Sequence, residues 1–332
     1  MKKKLDQYQK MLMVIIIIYS VFVALKNPQF LKVQTVFDII KTSSTTMIVA
    51  FGLLVVMISG GIDVSFMAIA LFGSYTSLYT MIKTGINNLA FAFALSAFIG
   101  VCLGLINALL INWLKLPPFI ITLGTQNLFH GIMTTFISDK SFGSGVLPTC
   151  LHQFGQGTLF KIYTGNGSAG LTVSLIPVLI AGILTYLILY KTMLGRGIVA
   201  IGNNEESARR AGFNPFIIRL FVYGYSGALA GMMGIVYAAQ VNALYPNKMV
   251  GDELMIVAAV VIGGTKITGG QGKIFGSVLG VLIIYLLNST LILIGLSSSW
   301  NNLFVGAILV IAVAVTSYQE RVKNRNHLIF TE

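Results

Sequence analysis

Long, unbroken runs of apolar residues constrain the fold of this chain more than any other feature of its sequence. The runs Met11–Leu25 and Leu171–Tyr190 show no alternation of polar and apolar residues. A backbone that crosses lipid must satisfy its own hydrogen bonds, which leaves a helix bundle or a closed β-barrel. Barrel strands would alternate with a period of two, so these runs predict helices. We therefore expect an all-α, polytopic membrane helix bundle, with residues 1–332 forming one transmembrane domain.

The composition excludes a soluble globular fold. Charged residues make up only 10% of the chain, and its mean hydropathy is +0.86, against roughly 25% charged residues in soluble domains. A net charge of +12 would suggest nucleic-acid binding in a soluble protein, but membrane topology explains the placement of these charges, and no nucleic-acid partner is expected. Cys102, Cys150 and three scattered histidines give neither a disulfide framework nor the spacing of metal ligands.

About ten transmembrane helices (8–10) are predicted. The predicted spans are residues 11–25, 45–59, 64–80, 89–112, 118–138, 170–190, 219–240, 245–264, 274–295 and 302–318. Because a crossing takes about 20 residues, the second, third and eighth are short and are candidates for broken or re-entrant segments. The first is interpreted as a retained helix rather than a cleaved signal peptide, since no small-residue cleavage site follows it.

The distribution of positive charge predicts the orientation. With the N-terminus inside, fifteen of the 22 lysines and arginines, including every arginine, fall on the cytoplasmic side. This bias agrees with the positive-inside rule and predicts ten crossings with both termini in the cytoplasm. On this map residues 139–169 form the longest outer loop, and residues 194–218 form a cytoplasmic loop.

A polar segment within the cytoplasmic loop predicts a short helix. Asn203 or Asn204 can cap a helix that starts at Glu205, which places the acidic residues in its first turn and the basic ones in its last. Gly212, followed by Pro215, would end it. A helix of about two turns needs tertiary support and would present small and charged side chains to a soluble partner. The alternative interpretation is an ordinary solvated loop. The candidate docking residues are Asn203, Asn204, Glu205, Glu206, Ser207, Ala208 and Gly212.

Two glycine-rich features need no ligand to explain them. The segment 263–273 resembles a phosphate-binding loop, but Ile267 occupies the first glycine position and Ile274 follows Lys273. No nucleotide site is therefore expected in this chain, and any ATP is expected on another chain. A second set of glycines has three- and four-residue spacing, which predicts close helix packing: Gly224, Gly227, Gly231 and Gly234, with the pairs Gly100/Gly104 and Gly276/Gly280.

Polar residues within the predicted spans are candidates for a solute path. Asp63 follows Gly60-Gly61 and is interpreted as a cap for the next helix rather than a proton or substrate ligand. No second buried acid is expected that could relay protons, which argues against a proton-coupled carrier. The segment Ile58–Ser65 echoes Val261–Thr268, with Gly60 matched to Gly263. The other candidates could equally join helices to each other: Asn107, Thr122, Gln126, Asn127, Tyr223, Ser226, Asn288 and, more weakly, Gln240.

Four blocks in this order resemble the ribose-type permease subunits of bacterial ABC sugar importers. They are Gly60–Ser65, Leu116–Gly124, the polar segment through Tyr223, and Ala258–Thr265. Within that family, Gly251–Leu254 and Leu296–Trp300 look most similar to a galactofuranose importer permease. Phe66 and Met67 depart from the small residues that the family usually has at these positions, which puts the exact sugar in doubt.

The resemblance implies a permease for a simple sugar of the ribose, galactose or galactofuranose class in the bacterial inner membrane. It implies four kinds of partner: a second permease subunit in a homo- or heterodimer, two ABC ATPase domains that hold ATP and Mg²⁺, an external sugar-binding protein, and the surrounding lipid. It also implies that Glu206–Ala208 with Gly212 acts as the coupling helix, departing at Ser207, where the wider pattern has alanine. No catalytic residue, cofactor or metal is expected in this chain. The alternatives are a permease for an autoinducer sugar or a branched amino acid, and a secondary carrier working without ATPases.

Overall fold

The computed structural model describes residues 7–164, 167–249, 251–291 and 293–297, and also residues 300, 303, 304, 306, 307 and 310. Helices dominate this part of the chain, and one β-hairpin accompanies them. The helices are α1 (Gln7–Lys26), α2 (Val33–Ile58), α3 (Phe66–Thr84), α4 (Leu89–Leu114), α5 (Pro118–Ile132), α6 (Thr149–Gln156), α7 (Leu175–Lys191), α8 (Met193–Asn203), α9 (Glu205–Arg210), α10 (Pro215–Val241), α11 (Glu253–Ile262) and α12 (Ile274–Leu291). The strands of the hairpin are β1 (Thr158–Thr164) and β2 (Gly167–Thr172).

Five of the described helices are long and apolar enough to cross a membrane, namely α1, α2, α4, α10 and α12. The pair α7 and α8, bent by 75° between them, makes a sixth candidate. The chain is therefore a multi-pass helical membrane protein, as its apolar runs predict. The count of about ten crossings and the cytoplasmic position of both termini stay predictions.

Several predicted spans have different bounds in the structure. The second span was expected to be short, but α2 begins at Val33 and has 26 residues, because polar Asp38 and Lys41 lie on its early turns without ending it. The eighth is short indeed, since α11 has only 10 residues. The sixth begins too early, because residues 170–172 pair in β2 and α7 starts at Leu175. The span 302–318 lies almost entirely outside the described residues.

The core is built around α2. Every residue of this helix from Ser43 to Ile58 is buried, so its apolar residues face protein on all sides, as in a central helix. The helices α7, α10, α11 and α12 pack around it. On the periphery, α1 and α7 expose large apolar side chains such as Ile18 and Ile183, which suits contact with lipid.

The crossing between α4 and α10 depends on the predicted glycines. A Cβ atom on Gly100 would overlap the carbonyl oxygen of Gly227, and one on Gly231 would overlap the carbonyl oxygen of Ser96. In the same way, a Cβ on Gly280 in α12 would overlap the carbonyl oxygen of Ala259 in α11. The interpretation of these glycines as packing residues is confirmed.

The two echoing segments form equivalent turns, with a register one residue away from the prediction. Gly60 has φ +88° and Gly264 has φ +87°, so Gly60 corresponds to Gly264 and not to Gly263. In the first turn the amide of Gly61 bonds back five residues, at 3.2 Å, and in the second that of Thr265 does so at 3.3 Å. Both are left-handed helix ends of the kind that glycine favours. The two turns lie at the same end of the bundle.

The hairpin and α6 occupy the segment predicted as the longest outer loop. Strands β1 and β2 pair antiparallel, with Ile162 opposite Ala169. The hairpin packs on α2, where the rings of Phe37 and Phe160 meet edge to face with centroids 6.0 Å apart. This end of α2 is opposite to Gly60, so the hairpin and the glycine turns lie at opposite ends of the central helix.

Candidate functional site: the α9 helix and the polar interior

The structure forms the predicted short helix at the predicted place. Helix α9 covers Glu205–Arg210, and the side-chain oxygen of Asn204 accepts a bond of 2.8 Å from the amide of Ser207. Asn204 is therefore the cap, while the Asn203 amide donates to Val199 in the preceding helix at 2.8 Å. Gly212 adopts φ +87° and α10 begins at Pro215. The predicted cap, start and end of the helix are confirmed.

A cluster of charged side chains fastens α9 to the membrane helices. Arg209 donates to Glu205 Oε1 at 2.9 Å, one turn along the same helix. Arg219, near the start of α10, forms an ion pair with Glu205 Oε2. The other guanidinium nitrogen of Arg219 donates to Asn112 Oδ1 near the end of α4, at 3.1 Å. We call Glu205, Arg219 and Asn112 the latch, because they join α9 to both α10 and α4.

The latch changes the acidity of its carboxylate. Partial burial by itself would raise the pKa of Glu205, but the charges and hydrogen bonds of Arg219 and Arg209 outweigh it and hold the pKa below its ordinary value. Glu205 therefore stays ionised at neutral pH. Sequence reasoning missed Arg219 and Asn112; an arginine in the first turns of an otherwise apolar helix was the available signal.

One face of α9 is exposed and the other is buried. Glu206 and Ser207 are exposed, as are the flanking residues Asn203, Asn204 and Gly212. Ala208 is only 2% exposed, so the expectation that it is presented to a partner is wrong. It lies three residues after Glu205, on the same inward face of the helix, where it supports α9 from beneath.

A cavity of about 680 Å³ opens beside the latch. The ends of α4 and α10, the start of α5 and the inner face of α9 line it, through side chains that include Asn112, Lys115, Arg209 and Phe216. The exposed face of α9 and this concave surface form one continuous region at the end of the bundle that holds the glycine turns.

Three of the predicted path residues lie beside the loop 61–65, namely Asn107, Thr122 and Tyr223. Asp63 Oδ1 accepts bonds from the amide of Ser65 at 2.8 Å and from its hydroxyl at 2.6 Å. The Asn107 amide donates to the same hydroxyl at 2.7 Å. Asp63 thus holds the loop backbone immediately before α3, but the N-cap residue is Ser65 and no side chain caps this helix, so the interpretation of Asp63 as the cap is wrong. The Thr122 hydroxyl donates to the Ile62 carbonyl oxygen at 3.3 Å.

Tyr223 faces this loop without a bond to it. Its buried hydroxyl has no hydrogen-bond partner within the described residues, and it lies so near Gly61 that a Cβ there would approach it to 2.5 Å. Only a glycine at position 61 therefore leaves room for the tyrosine.

The remaining path candidates lie elsewhere, so the seven do not form one continuous lining. Gln126 donates to Glu253 Oε1 at 2.7 Å, and both side chains are buried, so the expectation of no second buried acid is wrong. Ser226 packs on Gly52 in α2, and the Asn288 amide contacts the sulfur of Met255 at 3.9 Å. The other two residues have only a local or peripheral bond: Asn127, exposed and bonded to Leu123, and Gln240, bonded to the Lys41 carbonyl oxygen. The assignment of a path through these residues stays a prediction.

The family of the chain follows from its comparison with known proteins. Residues 35–313 match the model of the permease component of branched-chain amino acid transport systems. The chain belongs to this permease family. The match covers the latch, α9 and all the helices that enclose the polar interior. No group of three or more histidine, cysteine or acidic side chains able to hold a metal ion occurs in the described part of this permease.

Several curated members of the permease family align along most of the chain. The ribose import permease protein of Bacillus subtilis is 32% identical over 296 residues, which is 89% of this chain and 88% of that protein. The D-allose transport system permease protein of Escherichia coli is 32% identical over 303 residues, or 91% and 89%. The autoinducer 2 import system permease protein of Salmonella typhi is 28% identical over 298 residues, or 89% and 81%. No solved structure matches the chain. The resemblance to ribose-type permeases is confirmed.

Proposed function

We propose that this chain is the transmembrane permease subunit of an ATP-driven importer for a simple sugar, located in a bacterial inner membrane. The observation that carries the proposal is its likeness to permeases for ribose and allose along about nine-tenths of its length. The family description names branched-chain amino acids, but the similar curated proteins act on sugars and on autoinducer 2. A sugar of the ribose, galactose or galactofuranose class is therefore the favoured substrate.

The proposed importer contains a second permease subunit, two ATPase domains and an external sugar-binding protein. ATP and Mg²⁺ bind to the ATPase domains, and this chain contributes no catalytic group. The exposed face of α9 docks on an ATPase surface, a role supported by its exposed charges and by the latch beneath it. A six-residue helix is too short to be stable alone, so its firm attachment to α4 and α10 suits a part that must transmit displacement.

Transport in this proposal is a switch between inward and outward access. ATP binding brings the ATPase domains together, α9 moves with their surface, and the latch passes that displacement to α4 and α10. Sugar released by the binding protein then enters the open path. A shift of two orders of magnitude in population needs about 2.7 kcal/mol, because each 1.4 kcal/mol is tenfold.

Charge reversal on the exposed face of α9 tests this role. Glu206→Arg should abolish the stimulation of ATPase activity by loaded binding protein, while membrane insertion stays normal. Glu206 also pairs with Arg210, so the swap Glu206→Arg with Arg210→Glu restores the internal pair but not the docking charge. Asp38→Arg, an exposed acid near the opposite end of α2, is the matched control. Normal transport in Glu206→Arg would remove the coupling role from α9.

The competing functions predict different requirements. A secondary carrier would move sugar in response to an ion gradient in vesicles that contain this chain without ATPase domains. A branched-chain amino acid permease would import labelled leucine, and not ribose or allose, in the complete system. Either result would overturn the proposal of an ATP-driven sugar importer.

A further inference from the structure

A second cavity lies deep in the bundle, where α2, α3, α10, α11 and α12 meet. Its volume is about 60 Å³, and we call it the five-helix cavity. Polar side chains and methionines make up most of its lining, and none of the seven predicted path residues is part of it. The polar lining residues are Thr45, Thr46, Tyr237, Lys248, Asp252 and Tyr285.

The hydroxyl groups in the deep part of the cavity can form further hydrogen bonds. Thr46 and Tyr285 share a hydrogen bond between α2 and α12, and the Thr45 hydroxyl donates to the Thr42 carbonyl oxygen at 3.2 Å. Each hydroxyl offers one hydrogen and two lone pairs. A bound hydroxyl group could therefore bond to Thr46 and Tyr285 without breaking the bond between them.

The rim of the cavity carries one acid and one base. Asp252 and Lys248 are both exposed, and their side chains carry opposite charges. Their opposite charges compensate each other, so the cavity does not select strongly for an ionic ligand. A carboxylate and an ammonium group can still accept from and donate to the hydroxyls of a neutral one.

One further buried polar atom lies beside the cavity. The Oδ1 atom of Asn288 is buried and has no hydrogen-bond partner within the described residues. Its amide nitrogen contacts the sulfur of Met255, which itself lines the cavity. Buried acceptors are normally satisfied. Asn288 is not part of the lining, so this atom lies next to the cavity and not in it.

We propose that the five-helix cavity binds the hydroxylated edge of the neutral, polyhydroxylated substrate during transport. This inference rests on the proposed sugar-import function. A volume of about 60 Å³ exceeds the roughly 10–15 Å³ that one water needs, and it accommodates a few hydroxyl groups while the rest of the sugar lies toward Lys248 and Asp252. Met67, one of the two bulky departures from the family pattern, lies in the lining, where it limits the size of the accepted edge.

The chain offers a matched pair of hydroxyl contacts for the test. Tyr285→Phe removes a cavity hydroxyl, and Tyr19→Phe removes a similar one outside it, since Tyr19 bonds to Thr290 of the same α12 at 2.7 Å. Asp252→Asn on the rim is matched by Asp139→Asn on the exposed segment after α5. Both tyrosine variants keep the ring, and immunoblots of the membrane fraction check their insertion.

The assay measures sugar imported per ATP hydrolysed by the complete complex in proteoliposomes, with labelled D-ribose, D-allose and D-galactose. Tyr285→Phe and Asp252→Asn should each lower this ratio about three- to tenfold, as expected for the loss of one hydrogen bond, and retain ATPase stimulation by binding protein. The two controls should stay within about twofold of the parent.

The outcomes separate the two proposals. If the parent imports sugar and the cavity variants keep its ratio, the cavity is not the substrate site, while the proposed function stands. The same holds if cavity and control variants lose activity equally. If the parent imports none of the three sugars with ATP, the proposed function fails and the cavity assignment fails with it.

Discussion

Breaking the latch between Glu205 and Arg219 is the most direct test of how α9 acts on the membrane helices. We predict that Arg219→Gln and Glu205→Gln each leave the protein inserted but weaken the link between ATP hydrolysis and sugar uptake. The reason is that a movement of α9 can shift the conformational equilibrium of α10 by no more than the free energy of the interactions that join the two helices at the latch. The control pair Glu206 and Arg210 lies within α9, and both of its side chains are mostly exposed.

The burial of the two pairs sets the expected magnitude. The Arg219 and Glu205 side chains are 24% and 36% exposed, against 78% and 74% for Arg210 and Glu206. An exposed pair one turn apart contributes about 0.3–0.5 kcal/mol. The latch is partly buried and includes a further bond to Asn112, so charge-assisted bonding should give about 1–2 kcal/mol. Its loss would reduce a hundredfold bias between the two access states by about five- to thirtyfold.

A double-mutant cycle measures this coupling. The two single variants and the double variant are compared for sugar imported per ATP, and the ratios are converted to free energies. We expect an interaction of about 1–2 kcal/mol for Glu205 with Arg219 and less than about 0.5 kcal/mol for Glu206 with Arg210. Equal interaction energies for the two pairs, or strictly additive effects at the latch, would refute the reasoning.

Three further predictions concern the same end of the molecule. Asn204→Ala should destabilise α9 by about 1 kcal/mol, seen as faster hydrogen exchange of its amides, whereas Asn203→Ala should change it less. The contribution of Glu205 to the free energy of unfolding should be complete above pH 4.5 and should be lost as the pH falls through its lowered pKa. Thermal melting measured as a function of pH checks this. A loss of the contribution between pH 5.5 and 7 would contradict the latch. Gly202→Ala should uncouple transport with insertion intact, because its Cβ would overlap the carbonyl oxygen of Ile58. Gly131→Ala, where a Cβ meets nothing within 4 Å, is its control.

The sequence predicted those parts of the site that depend on neighbours along the chain. Asn204, Glu205 and Gly212 act on residues within a few positions, so capping rules are enough to place the ends of α9. The partners Arg219 and Asn112 come from two other helices. Whether they meet depends on how α4 and α10 cross. The spacing of small residues predicts that these helices pack closely, but it does not predict which of their side chains come into contact.

Helix α8 was missed because its glycines look like breaks. Gly195, Gly197 and Gly202 lower helix propensity, yet each lies where another group approaches closely. A Cβ on Gly195 would overlap the Leu189 carbonyl oxygen, and one on Gly197 would lie 2.6 Å from Ile218 Cδ1. Tertiary packing therefore selects glycine here, and local propensity rules have no access to that cause. The five-helix cavity was missed for the same reason, since five separate helices supply its lining.

The position of α8 connects the end of the protein that carries α9 to the cavity. Its last turn is wedged against the end of α2, where Gly270 donates to the Ile58 carbonyl oxygen at 2.8 Å. From Ile58, the buried part of α2 runs to Thr46 in the cavity, and twelve residues at about 1.5 Å each make about 18 Å. We predict that displacement travels along this part of α2. Gly202→Ala and Tyr285→Phe should then be non-additive in sugar imported per ATP, because both act on the same movement of α2. Additive losses would mean that the two ends of α2 act independently, and that coupling reaches the substrate through α4 and α10 alone.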